Sequence, residues 1–136
     1  MDNDTLVNWT AFGRARAELG VNFVRILGYF REDGVKSVSR IEDAMRGQNA
    51  AALVIPAHTL KGEARQFGAD PLADLAEIIE TIARDCVEQH ETPNEALEHV
   101  VRLRPLFEAT LALLERDSNP LAVRRPAAGF GRRTAG

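Results

Sequence analysis

The sequence predicts an all-α protein, an antiparallel four-helix bundle with a short additional N-terminal helix. Apolar residues recur at spacings of three and four along most of the chain, which is the period of an amphipathic helix. Alternating apolar and polar runs, and hairpin turns flanked by strands, are scarce. Because the helical segments are joined by short connections, a bundle is the simplest way to bury all of their apolar faces.

The first two helices are predicted from their apolar stripes and from the glycines that follow them. Trp9 and Phe12 form a short stripe, and Gly20 marks the end of this leading helix. The second stripe continues up to Gly47 and consists of Phe23, Ile26, Leu27, Phe30, Gly34, Val38, Ile41 and Met45. We expect a long second helix, with Gly34 as the point at which it could bend.

The third helix carries a proline. Asn49 is its expected N-cap, and its stripe ends before Gly68. The stripe consists of Leu53, Ala57, Leu60, Ala64 and Phe67. Since Pro56 has no amide hydrogen to give to the carbonyl of Ala52, we expect the helix to kink or restart there.

Two further helices are predicted to start at similar signals. Asp70-Pro71 suits an N-cap followed by a first-turn proline. The stripe behind it consists of Leu72, Leu75, Ile79, Ile82 and Cys86. Thr92-Pro93 repeats the signal, with Glu95 three residues after Thr92. The last stripe consists of Leu97, Val100, Leu103, Phe107, Leu111 and Leu114, and Pro105 is expected to bend this helix.

The 136 residues suit one domain, which we predict at residues 1–117, followed by a flexible basic tail at 118–136. The tail has no acidic residue and contains Arg124, Arg125, Arg132 and Arg133. Residues 1–117 carry 13 basic and 20 acidic side chains, a net charge of −7. Such a body repels phosphate backbones, so nucleic-acid binding by the fold is not expected.

Several other classes of protein are excluded by composition. The chain has no apolar run near the roughly 18 residues of a membrane span, and its polar start is unlike a secretory signal, so we expect a cytoplasmic protein without membrane contact. Cys86, the single cysteine, allows no internal disulfide and ends an apolar stripe, which favours burial over reactivity. His90 and His99 match no common zinc spacing, and no metal site is predicted.

His58 is the candidate functional residue. At 100° per residue it lies roughly 140° from the centre of the third apolar stripe, so its side chain is predicted to face outward. Gly62, four positions on, lies directly beside it. Arg65 follows on the same side, and Lys61 flanks the row.

This combination suits a phosphoryl acceptor. A neutral imidazole is nucleophilic near neutral pH, and Lys61 and Arg65 could screen an arriving phosphoryl group. Gly62 costs a helix roughly 1 kcal/mol relative to alanine, which close approach of a partner would explain. From spacing alone the alternative stays open: a solvated His58, a glycine that permits helix packing, and two solvated cations.

The segment from Ala57 to Ala69, AHTLKGEARQFGA, followed by Leu72, resembles the signature of histidine-containing phosphotransfer (HPt) domains, whose core is His-x-Leu-Lys-Gly. The helical plan over about residues 5–116 is also similar to that family. The resemblance implies that His58 is phosphorylated, that Lys61 is the supporting cation, and that Gly62 leaves room for the partner. Gln66 stands where the family often has an amide. Two residues depart from the pattern, namely Glu63, at a position that is usually small, and Pro56.

By resemblance, the protein is a phosphorelay carrier that takes a phosphoryl group from the aspartate of a receiver domain and passes it to another. Its expected partners are response-regulator receiver domains and a hybrid histidine kinase. Since the sequence has no P-loop or kinase-type glycine-rich loop, we expect a carrier without an ATP site rather than an enzyme. No cofactor of its own is expected, and the receiver would bring Mg²⁺. A monomer is expected, and the alternative function is a helical interaction module that takes no phosphate.

Overall fold

The computed structural model describes residues 6–118, which form five α-helices joined by short turns. The helices are α1 Trp9–Leu19, α2 Phe23–Arg46, α3 Ala50–Gln66, α4 Asp70–Gln89 and α5 Leu97–Ser118. Two 3₁₀ turns, Gly20–Asn22 and Asn94–Ala96, precede α2 and α5, and residues 6–118 contain no strand. The predicted bundle with a short N-terminal helix is confirmed. Of the predicted tail, Ser118 ends α5, and residues 119–136 lie outside the described part.

The four long helices form a square in which α3 and α5 are diagonal. Both α2 and α4 pack against α3 and against α5, and the contact between α3 and α4 is the most extensive. Ion pairs show that α2 and α5 run antiparallel. Arg31, early in α2, pairs with Glu115 at 2.7 Å, and Glu42, late in α2, pairs with Arg104 at 2.9 Å.

Asparagine side chains cap α1 and α3. The Oδ1 atoms of Asn8 and Asn49 accept from the backbone amides of Ala11 and Ala52, each at 3.1 Å. Because each cap satisfies an amide that has no partner within the helix, it fixes where the helix begins. The predicted cap at Asn49 is confirmed.

The starts predicted for the last two helices are wrong in detail. Asp70 is the first residue of α4 and not its cap, because the carbonyl of Ala69 already accepts from the amide of Ala73 at 2.9 Å. Thr92 does not cap α5 either. The carbonyl of Pro93 accepts from the amide of Ala96, so the chain makes a 3₁₀ turn before α5 begins.

Neither internal proline interrupts its helix. Helix α3 continues through Pro56, so the predicted restart does not occur, and α5 continues through Pro105. The carbonyls that lose a partner belong to Ala52 and Val101, which are both exposed. Water can therefore satisfy these carbonyls, which lowers the cost of a proline at each position.

A chain of aromatic rings joins the helices in the core. The ring centroids are 5.2 to 5.8 Å apart and most pairs meet edge to face, an arrangement that adds to the stability gained from burial. In order of contact, the rings are those of Trp9, Phe12, Phe23, Phe67, Phe30 and Phe107. Since these residues come from α1, α2, α5 and the end of α3, the row of rings helps to fix the positions of these four helices relative to one another.

Two glycines allow close contacts in this core. Gly34 lies inside the continuous helix α2, where a Cβ atom would be 2.4 Å from Cε1 of the Phe107 ring. The glycine at this position therefore admits the ring. Gly68 has a φ of +76°, and its carbonyl accepts from the amide of Asn8 at 2.7 Å, which ties the end of α3 to the start of α1.

We expect Gly34→Ala to lower the free energy of unfolding by about 1 to 3 kcal/mol, because the new methyl group would overlap the buried Phe107 ring. Urea denaturation followed by circular dichroism measures this. Gly28→Ala is the matched control, since Gly28 is also inside α2 but a Cβ there meets no atom within 4 Å. The control should gain up to about 1 kcal/mol from helix propensity. Equal effects of the two substitutions would contradict the packing role of Gly34.

Candidate functional site

His58 lies on the outer side of α3, as its position in the helix predicts. Its side chain is 57% exposed, whereas Ala57 and Leu60 on either side are completely buried. The packed face of α3 therefore holds the backbone beneath the imidazole in place while the ring stays accessible.

One nitrogen of this ring is fixed by a residue of α4. Nδ1 of His58 lies 2.9 Å from Oε2 of Glu80, whose side chain is only 7% exposed. Nε2 lies on the other side of the ring and has no hydrogen bond to residues 6–118 in the structure. The imidazole is thus held at one nitrogen, and the other faces solvent.

The protonation state of Glu80 decides which tautomer His58 adopts. Burial by itself raises the pKa of this carboxyl, but interactions with Lys61, Arg84 and His58 outweigh burial and lower the pKa from 4.5 to about 2. At neutral pH Glu80 is a carboxylate and can only accept hydrogen bonds. Nδ1 of His58 must therefore carry a proton, which leaves the lone pair of the neutral ring on Nε2.

Two cations complete the cluster around Glu80. Nζ of Lys61 lies 2.9 Å from Oε1, and the guanidinium of Arg84, one turn further along α4, lies 2.8 Å from Oε2. Burying a carboxylate costs several kcal/mol unless charged partners surround it. The structure thus brings together the predicted residues His58 and Lys61 through a carboxylate that both of them contact.

Gly62 leaves open space beside His58. It is exposed, and a Cβ atom there would meet no atom of residues 6–118 within 4 Å. The alternative that Gly62 permits close packing between helices is therefore wrong. An incoming surface could approach the imidazole directly over this position.

The other two predicted site residues are exposed but lie apart from the cluster. The guanidinium of Arg65 is 2.7 Å from the carboxylate of Glu77 and 3.5 Å from that of Asp74, both on α4. Gln66 is exposed at the end of α3. A supporting role for Arg65 and Gln66 remains a prediction.

Glu63, which departs from the pattern of the signature, faces α2 rather than His58. Burial, and then the neighbouring carboxylate of Asp33, raise the pKa of Glu63 from 4.5 to about 7. Its Oε1 is buried, with no hydrogen-bond partner among residues 6–118. Glu63 is therefore partly protonated near neutral pH and lies at the α2–α3 contact.

The remaining histidines and the cysteine occupy structural positions. His90 ends α4 in a left-handed conformation with a φ of +59°, and His99 is mostly buried on α5. Cys86 is buried as predicted, and burial together with nearby carboxylates raises the pKa of its thiol. Within residues 6–118 no three His, Cys, Asp or Glu side chains are placed to hold a metal ion.

Our sequence analysis missed Glu80 and Arg84, although a signal for Glu80 exists. A second stripe runs along α4 beside the one used to predict that helix, with spacings of three, four and three. It consists of Ala73, Ala76, Glu80 and Ala83, all of them buried. A single carboxylate in a row of alanines indicates a charged partner, because a carboxylate is almost never buried without one. The small alanines bring the neighbouring helix close enough to supply that partner.

Fold and site together define a helical bundle domain with one accessible, anchored histidine. A family model described as Hpt domain matches residues 25–117, about two thirds of the chain, and the chain belongs to this family. Membership supports a phosphotransfer role in phosphorelays and interaction with receiver domains and kinases. No curated protein and no solved structure matches the chain. Among the helices of residues 6–118, none is both long and apolar enough to cross a membrane.

We expect Glu80→Gln to lower the free energy of unfolding by about 2 kcal/mol at pH 7, because it removes the anion that Lys61 and Arg84 contact. The folded state lowers the pKa of Glu80 from 4.5 to about 2, so the stability from its charge is complete above pH 4.5 and is lost as the pH falls towards 2. The difference between the two proteins should therefore shrink on acidification. Urea denaturation at pH 7, 4 and 3 measures it.

Glu77→Gln on the same helix is the matched control. Glu77 pairs with Arg65 at 2.7 Å but is half exposed, so its loss should cost less than about 1 kcal/mol. A constant deficit of Glu80→Gln at all three pH values would show that the charge of Glu80 does not stabilise the fold.

Proposed function

We propose that this protein is a phosphorelay carrier that accepts a phosphoryl group from a receiver aspartate on Nε2 of His58 and passes it to the aspartate of another receiver. The observation that carries the proposal is the anchored, exposed imidazole. Its Nδ1 is 2.9 Å from a buried carboxylate, which leaves a nucleophilic nitrogen facing solvent.

The chemistry needs no proton to leave the protein. The lone pair of Nε2 attacks phosphorus, the bond between phosphorus and the aspartyl oxygen breaks, and the aspartate departs as a carboxylate. The ring then carries a positive charge, with its proton still on Nδ1 beside Glu80. Because the carboxylate is in place before the reaction, it stabilises this charge without rearrangement. Transfer to a second aspartate is the same step in reverse.

Four residues near His58 on α3 have roles in the proposal. Lys61 is the supporting cation, and its Nζ contacts Glu80, the residue that also contacts His58. Gly62 leaves the approach open for the receiver. Arg65 and Gln66 are exposed further along α3 and are proposed to contact the receiver at the rim.

The rest of the reaction is assigned to the partners. The Mg²⁺ that assists phosphoryl transfer is proposed to come with the receiver domain, and ATP would be used by a hybrid histidine kinase. This chain would then be a carrier without kinase activity of its own. We propose that it acts in the cytoplasm together with the receivers. The competing function is a helical module that binds receivers without taking phosphate.

We expect His58→Gln to abolish phosphoryl acceptance and to keep the fold, because the side chain lies outside the core. The measurement is incubation with a phosphorylated receiver, followed by detection of acid-labile, alkali-stable phosphate on this chain. His90→Asn is the control, since asparagine tolerates the left-handed conformation and the phosphate should remain. Phosphate on the His58 variant would refute the assignment, and a wild-type chain that binds receivers but never carries phosphate would favour the competing module.

We expect substitutions of Gly62 to move stability and transfer in opposite directions. Gly62→Ala and Gly62→Gln should each raise the free energy of unfolding, by up to about 1 kcal/mol, because no atom obstructs the new side chain and glycine is a poor helix former. Gly62→Gln should slow transfer from a phosphorylated receiver by about tenfold or more, since its side chain stands where the reacting groups must meet. Urea midpoints and single-turnover transfer rates measure the two effects.

Gly28→Gln is the control for the Gly62 series. This glycine also lies inside a helix and has open space where a Cβ atom would lie, but it is on α2. It should gain stability without any change in transfer. If Gly62→Gln transfers at the original rate, Gly62 does not serve access to His58.

A further inference from the structure

The outer side of α5 differs from the outer side of α2. The exposed residues of α2 are mostly charged, among them Arg25, Glu32, Lys36 and Arg40. Along the middle of the exposed side of α5 runs instead a row of apolar residues at spacings of four, four, four and three. This row, which we name the α5 ridge, consists of Leu97, Val101, Pro105, Ala109 and Ala112, all of them exposed.

We infer that the α5 ridge binds a second copy of this chain, so that two α5 helices pack antiparallel about a two-fold axis that passes between their Pro105 residues. Val101 is 62% exposed and Leu97 52%, and a soluble helix loses stability by leaving such side chains in water. A two-fold contact requires a surface that is complementary to itself, since the same residues face each other.

The ridge is self-complementary in shape. On one helix, residues at positions i, i+3, i+4 and i+7 surround a hole that can receive a side chain of a facing helix. Pro105, Glu108, Ala109 and Ala112 form such a hole, and two small alanines keep it open. In the antiparallel pair, Val101 lies as far before Pro105 as Ala109 lies after it, so the Val101 side chain of each copy enters this hole of the other.

The charges beside the ridge are also self-complementary. Arg104 is held in place by Glu42 at 2.9 Å, and Glu108, one turn later on the same edge, is well exposed. Antiparallel pairing brings Glu108 of each copy beside Arg104 of the other. Near the opposite edge, Glu98 of one copy comes close to the turn that ends at Arg116 of the other. The two Arg104 residues also come near each other at the axis, but each is paired with Glu42 of its own copy and has Glu108 of the other copy beside it.

Dimerisation through α5 would leave both histidines accessible. Helix α5 is diagonal to α3 in the bundle, so the contact lies on the far side of the domain from His58. The dimer would present two separate phosphoryl-acceptor sites. Because a single stripe on one helix buries less surface than the roughly 1,200 Å² of typical stable complexes, the dimer is expected to be weak.

The test is sedimentation velocity of the full chain, from about 1 µM to about 1 mM, the range in which weak dimers dissociate. We expect the wild-type sedimentation coefficient to rise with concentration, and Val101→Lys to raise the dissociation constant at least about tenfold. Glu108→Arg should weaken the dimer as well, because it replaces the carboxylate beside Arg104 of the other copy with another positive charge. His58→Gln should leave association unchanged, so the result does not depend on phosphotransfer.

Val24→Lys is the matched control, since Val24 is 61% exposed and lies on α2. It introduces the same charge and should leave association unchanged. A wild-type chain that stays monomeric at every concentration overturns the proposal, and so does equal weakening by Val24→Lys. A lower unfolding temperature of monomeric Val101→Lys, without any effect on association, would show that another segment of the same chain covers the ridge.

Discussion

The site depends on the buried carboxylate of Glu80. Removing a charge from water is costly, and the contacts of Glu80 with Lys61, Arg84 and the Nδ1 proton of His58 offset that cost. In turn, the carboxylate holds the side chains of these three partners in place. A helix that carries an exposed histidine would otherwise let the ring rotate freely, and either nitrogen could then face an incoming group.

Glu80 can reach α3 only because the two helices approach closely. Ala73, Ala76 and Ala83 line the same face of α4, and their small side chains bring its backbone near α3. Hydrogen bonds also fix both ends of α3. Asn49 caps its start, and the carbonyl of Gly68 bonds the amide of Asn8 just past its end. Structural features far from the imidazole thus determine its orientation.

The sequence predicts much of the fold because helical periodicity is a property of one segment at a time. It indicated the helices, the outward direction of His58 and the open position of Gly62, all of which depend on a single helix. Contacts between helices were harder to predict. Glu80 belongs to the site because it contacts His58 across the α3–α4 contact. The pairing of Arg65 with Glu77 also crosses from α3 to α4. The caps predicted at Asp70 and Thr92 are wrong because the first backbone hydrogen bonds of these segments are accepted by the carbonyls of Ala69 and Pro93 instead.

The local charge at the site differs in sign from that of the whole protein. Residues 1–117 carry a net charge of −7, which on its own would repel a negatively charged partner such as the phosphorylated receiver of the proposed function. Around His58, however, the two cations Lys61 and Arg84 share one carboxylate, so the cluster with a neutral imidazole is positive by one charge. Coulomb interactions weaken with distance and are screened by salt over about 10 Å, so a partner in contact with α3 experiences mainly the cluster. In the proposed reaction the ring would gain a phosphoryl group. The nearby cations would then offset the added negative charge, while Glu80 would offset the positive charge that develops on the imidazole.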